Sequence, residues 1–196
     1  SNYLKGPGAE YAMLLITEHL MVPGEMAEGS GTPTKKPLAF SDVGTTWDEN
    51  NAWKVSSVKR WCQTFYEDAF NEYEKAQIMQ TTQYDDYMGG VKAPSGESKD
   101  KFYVPSTDRT IHEERVFFPS LNEIDQFIGK VAYADKYVDE PEKKVATYQL
   151  ADGTEAPSAW WTRSAVYSHP DNNLVVRIRA DGKQEAVLGS EQIGGA

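Results

Sequence analysis

Cys62 is the only cysteine in the 196 residues, so an internal disulfide, a paired-cysteine metal site and a dithiol redox centre are all excluded. Positive charge is also short. Twenty Lys and Arg stand against 30 Asp and Glu, and the resulting net charge of −10 is opposite in sign to the footprint that grips a phosphate backbone. Nucleic acid is therefore not an expected partner. No apolar run approaches the roughly 18 residues that cross a bilayer, and no basic start leads into an apolar signal segment. Membrane insertion by this chain is not expected, while a leader or anchor outside these residues is left open. Histidine is scarce too, with His19, His112 and His169 making up the whole set. No HExxH, GxSxG or glycine-rich phosphate loop occurs. A catalytic triad would need a serine beside one of those histidines, which sequence does not show.

The material that is present describes one loop-rich globular domain over residues 1–196. The chain is 39% hydrophobic and 12% aromatic with 15 Gly and 10 Pro, and a domain of this length buries roughly 70% of its unfolded surface. Ala12 to Ile16 form a short apolar run that reads as a buried strand. Residues 23–50 are dense in Gly, Pro, Ser and Thr and read as a first long loop. In "SSVKRWCQTFYEDAFNEYEKAQIM" the spacing turns helical. Val58, Trp61, Cys62 and Phe65 predict a core-facing stripe behind Ser56 or Ser57 as cap. Asn71 with Glu74 predicts a capping box opening a second short helix that buries Ala76, Ile78 or Met79.

Residues 83–115 show no sustained period and read as a second long irregular region. "RVFFPSLNEIDQFIG" predicts a strand end at Val116–Phe118 and then a short helix, with Ser120 as cap, Glu123 at the box position and Gly129 as the stop. Its apolar face would be Leu121, Ile124, Phe127 and Ile128. The last third reads as strands separated by turns, with Asp152-Gly153 and Asp181-Gly182 as turn signals. Strand, then helices, then an antiparallel sheet is an α+β architecture.

Candidate chemistry is thin. Cys62 reads as a packed small hydrophobe rather than a nucleophile. His112 with Glu113 or Glu114 could ligate a metal, but a solvated charge run is the expected reading, and no metal site is assigned. "TWDENN", "YDDY" and "HPDNN" offer oxygen ligands of the type calcium takes, without the spacing of an EF-hand loop, so calcium stays open and no other cofactor is implied. The positive signal is aromatic. Trp47, Trp53, Tyr84, Tyr87, Phe102, Tyr103, Tyr133, Tyr137 and Tyr167 fall in or beside loops, where such side chains supply stiff contact area for a ligand or anchor the loops to the body.

Four separated stretches occur in the order of a known bacterial family. "MLLIT" at Met13–Thr17, "SSVKRWCQTFYEDAFNEYEKAQI" at Ser56–Ile78, "VFFPSLNEI" at Val116–Ile124 and "WWTRS" at Trp160–Ser164 together resemble DUF6273. Cys62 and Gln63 stand where that family usually has Leu-Asn, and Thr162 replaces its Leu. The chain begins late relative to that family's usual first strand and stops at "EQIGGA", where the closing strand would be starting, so the resemblance implies a domain trimmed at both ends or a unit completed by another segment.

"WWTRS" is also similar to what is seen in C-type-lectin-like folds, including formylglycine-generating enzymes and the variable proteins of diversity-generating retroelements. Such folds pack two or three short helices on a small antiparallel sheet with long irregular loops. The resemblance implies that Trp160, Trp161, Arg163 and Ser164 are architectural, one tryptophan sealing the core and Arg163 pairing with a carboxylate. Tyr167, His169, Asp171, Asn172 and Asn173 then become the ligand candidates, in a polar turn after a rigid strand. The expected function is a non-catalytic binding or adhesion module of a bacterial or phage surface protein, extracellular or cell-surface associated, recognising a glycan or surface protein. A structural spacer or filament subunit and an enzyme related to the formylglycine-generating group are the alternatives.

Overall fold

The computed structural model describes residues 15–17, 20, 38–41, 53–83, 111–132, 138–149, 152–167, 173–189 and 192–193. Nine strands and three α-helices are described, and every described strand pairing is antiparallel, which makes the chain an α+β protein. The strands are β1 (Leu38–Ala39), β2 (Thr81–Gln83), β3 (Ile111–Glu114), β4 (Ala146–Gln149), β5 (Glu155–Ser158), β6 (Trp160–Tyr167), β7 (Asn173–Ile178), β8 (Gln184–Leu188) and β9 (Gln192–Ile193). The helices are α1 (Ser57–Ala69), α2 (Glu72–Gln77) and α3 (Leu121–Phe127). A three-stranded sheet, β6-β7-β8, is joined by the pairs β1-β9, β2-β3 and β4-β5.

The central sheet divides the core in two because successive strand residues face opposite ways. Trp161, Val175 and Val187 face Phe40, Trp53, Val58, Cys62 and Ile111. On the other face Val176 and Ile178 meet Leu121, Ile124 and Val131, with Trp160 and Leu174 packed at the margin. The adjacent tryptophans therefore serve different cores. Trp161 meets the Phe40 ring edge-on at 5.7 Å, and Trp160 donates its indole N–H to the Lys144 carbonyl at 3.1 Å.

The helices start where their caps require. The Ser56 side chain accepts the Lys59 N–H, and α1 sinks Val58 and Cys62 into the core with Trp61 and Phe65 half-buried. Asn71–Glu74 and Ser120–Glu123 both form complete capping boxes. Burial departs from expectation in places. α2 buries nothing, leaving Ala76 and Met79 exposed and Ile78 half-buried, because it is tied to the body through Tyr66, whose hydroxyl donates to the Lys75 carbonyl. Phe127, at the end of α3, is 46% exposed. Val116–Phe118 lie beyond the strand, which ends at Glu114. Leu15 and Ile16, expected in a buried strand, are 82% and 60% exposed and outside any strand. The described tie of that segment is the Leu20 N–H donated to Thr147 of β4.

Gly182 shows how closely one turn is packed. At φ 78° it ends the β7–β8 hairpin turn, and a Cβ there would overlap the Pro141 carbonyl. Gly153 has φ 83° with open space around it. Alanine at Gly153 should cost about 1 kcal/mol of left-handed strain. Alanine at Gly182 adds a backbone overlap and should cost at least about twice that. Denaturant titration of the two variants would separate strain from clash, and equal losses would remove the packing role of Gly182.

Residues 125–131 and 139–144 are linked by a network of charged side chains. The fully buried Lys144 ammonium donates to the Lys130 carbonyl at 2.8 Å and to the Asp139 carboxylate. Asp125 accepts the Val131 N–H at 3.1 Å, and Glu140 accepts the Lys130 N–H at 2.9 Å and holds Lys143 at 2.6 Å. The Lys143 ammonium, then the Lys130 N–H, holds the Glu140 carboxyl below its ordinary range. A depressed folded value contributes stability that is present above the unfolded value and lost as pH falls through the folded one. Glu140→Gln should therefore melt below the parent at neutral pH, the two curves converging as pH falls below the ordinary glutamate range and the folded carboxylate is protonated. A constant offset at every pH would contradict this.

Candidate functional site

The "WWTRS" stretch is a bulge in β6. Trp161 pairs with Arg177 and Ala165 with Val175, so Thr162, Arg163 and Ser164 oppose Val176 alone. The bulge is held by local bonds. Thr162 donates its hydroxyl to the Val176 carbonyl at 2.7 Å and accepts the Ser164 N–H at 3.2 Å. Ser164 accepts the Leu121 N–H at 2.9 Å, one of the donors that the first turn of α3 cannot satisfy internally.

The bulge turns Arg163 inward to full burial. Its guanidinium makes a bidentate pair with Glu123, at 2.5 Å for the bond to Oε2, and donates to the Phe118 carbonyl at 2.8 Å. The same group lies 5.6 Å from the centre of the Phe117 ring, and the Arg163 N–H reaches the Pro119 carbonyl at 3.0 Å. Glu123 also accepts the Ser120 N–H, so one carboxylate caps α3 and neutralises β6. The expected carboxylate partner of Arg163 is thus Glu123, and it pins residues 117–120 to the sheet.

Two of the five ligand candidates lie in described strands of the same hairpin. Tyr167 and Asn173 are direct cross-strand partners that close β6–β7. His169, Asp171 and Asn172 lie outside the described residues, as do His19 and the loop aromatics Trp47, Tyr84, Tyr87, Phe102, Tyr103, Tyr133 and Tyr137. Among the described residues no group of three His, Cys, Asp or Glu could hold a metal.

Two readings are corrected. Trp53, expected beside a loop surface, is fully buried and donates its indole N–H to Glu114 Oε2 at 2.8 Å. Glu114, expected in a solvated charge run, has a side chain only 9% exposed and pairs with Lys59 at 2.6 Å. Between Ile111 and Glu114 the strand carries Glu113 at φ 52° with its N–H on the Thr82 hydroxyl at 3.1 Å. In a regular strand Ile111 and Glu114 would face opposite sides, and this local reversal lets both point inward. Neither Glu114 nor Lys144 carries a local signal of its burial, because the Trp53 indole and the Lys130 carbonyl that receive them are 61 and 14 residues away.

Cys62 lies in the core, where burial and then the nearby Glu114 carboxylate push its thiol far above the ordinary value. The thiolate is the nucleophile, so alkylation should be negligible in the folded protein and appear only with global unfolding. Rapid labelling under native conditions would restore the cysteine-enzyme reading.

The class defined by these features is a small α+β domain whose buried Arg163 is engaged in structure. The chain belongs to the family described as Domain of unknown function (DUF6273), whose family model matches residues 13–193. No curated protein and no solved structure matches it.

Proposed function

We propose that this chain is a non-catalytic recognition module of a bacterial or phage surface protein, acting outside the cell or at its surface. In this reading Tyr167, His169, Asp171, Asn172 and Asn173 contact a glycan or a surface protein. The carrying observation is the cross-strand pair Tyr167 and Asn173 at the mouth of a hairpin whose body is held by the buried Arg163–Glu123 pair. Binding residues are commonly carried on polar turns positioned by rigid strands. A C-type-lectin-like arrangement fits this reading, with the sheet as scaffold and the loops as recognition layer, and calcium is a candidate ligand of Asp171, Asn172 and Asn173.

The test is a glycan and surface-protein array run beside thermal melts with and without calcium. Loss of a binding signal in Tyr167→Ala, His169→Ala and Asn173→Ala at unchanged melting temperature supports the site. A signal that survives all three substitutions removes it, and a calcium-dependent melt assigns the ion to the folded domain.

A further inference from the structure

The turn joining β7 to β8 fixes which backbone groups face outward. The Arg179 carbonyl accepts the Gly182 N–H at 2.9 Å, and the Arg179 N–H donates to the Lys183 carbonyl at 2.8 Å. With Gly182 left-handed, this is a turn closed by a glycine bulge. Antiparallel pairs alternate between bonded and non-bonded. In register, Arg177 with Glu185 and Val175 with Val187 are therefore the bonded pairs, while Gln184, Ala186 and Leu188 oppose Ile178, Val176 and Leu174 without ladder bonds. The Val176 carbonyl, which this alternation turns toward β6, is indeed the one taken by the Thr162 hydroxyl. The N–H and C=O groups of Gln184, Ala186 and Leu188 consequently point away from β7, at an edge where no described strand follows.

The described edges of β4, β5 and β6 are blunted, and that of β8 is not. β5 carries Pro157, which has no N–H, β4 receives Leu20, and the outer side of β6 is occupied by Pro119 and Leu121. β8 has no proline, lysine or bulge across Gln184–Leu188, with Ala186 exposed and Leu188 45% exposed. The strand can also meet its own copy without a charge clash, the Gln184 amide staying on the Ala132 carbonyl at 2.8 Å. An antiparallel contact centred on Ala186 sets this small residue against its own copy and Gln184 against Leu188 of the second copy. Glu185, the only charge in the strand, then opposes Val187 of the second copy and is already neutralised by Arg177 at 2.9 and 3.0 Å. Like charges do not meet.

We propose that two copies of this chain associate through β8, by antiparallel strand addition centred on Ala186, joining their three-stranded sheets into one. The contact stands independently of the binding reading above. An edge contact is at the small end of interface sizes, so the result is a concentration-dependent monomer–dimer equilibrium rather than an obligate dimer. Because each copy carries a net charge of −10, added salt should screen their repulsion and favour the dimer.

Sedimentation equilibrium over a wide concentration range at low and high salt is the test. The parent chain should dimerise, more strongly at high salt. Ala186→Lys should remain monomeric with an unchanged melt, and Ala186→Pro should do the same, since the N–H it removes is not part of the β7 ladder. If the proline variant melts early, the lysine variant decides. Ala186→Cys should form a covalent dimer on mild oxidation, the buried Cys62 being no competitor. A parent chain monomeric at every concentration, a dimer indifferent to Ala186→Lys, or an Ala186→Cys variant that fails to cross-link on oxidation would each overturn the proposal.

Discussion

Arg163→Ala should lower stability by about 3–5 kcal/mol, because it leaves the Glu123 carboxylate buried without its cation. For a domain of this size that corresponds to a melting shift of roughly 10 °C. The loss has several sources in one side chain. The guanidinium satisfies both Glu123 oxygens, the Phe118 carbonyl and the Phe117 face, so the segment before α3 loses its anchor as well as its charge balance. Arg163→Lys retains charge without the planar fork and should recover only part of the loss. Replacing the pair together, as Arg163→Met with Glu123→Leu, should cost less than Arg163→Ala alone, since a buried ion pair is often no better than apolar residues of similar volume. Urea titrations of the parent and these three variants would establish the coupling. If Arg163→Ala melts like the parent, Arg163 has no role as a strut.

Trp53→Ala should be comparably damaging, at about 3–5 kcal/mol, through the cavity left by a fully buried indole. Trp53 also fixes Glu114 through its N–H, so packing and hydrogen bonding must be separated. Trp53→Phe keeps most of the ring and deletes the donor. Since Glu114 retains Lys59, that variant should lose only about 1–2 kcal/mol. A phenylalanine variant as unstable as the alanine one would shift the main contribution from the core to the Glu114 clamp.

Much of the local structure was legible because its signals are local. The two capping boxes, the stripe of α1 and the Asp181-Gly182 turn are written within a few residues of sequence, where backbone propensity and side-chain reach decide the outcome. The misreadings have the opposite character. Phe40 and Trp53 occur among loop-forming residues and nonetheless meet in the core, and β3 is hidden in a region without period because its reversal at Glu113 breaks the alternation that would announce it. Leu15 and Ile16 failed in the other direction, being apolar in sequence and exposed in space. The candidate site divides likewise. Arg163 was readable as a strut in need of an acid, but only the bulge at Thr162–Ser164 selects Glu123, already engaged in the α3 cap, as that acid.

By itself, the sequence determined the α+β class, the helix starts, the turn positions, the absence of an internal disulfide and the family, since each follows from composition or from motifs a few residues long. The tertiary structure decided the two-sided core that separates Trp160 from Trp161, the burial of Lys144 and Glu114, and the cross-strand meeting of Tyr167 with Asn173. It also decided the outward turn of the β8 backbone. These features depend on register and on partners distant in the chain, and no local pattern encodes which residues a folded backbone will bring together.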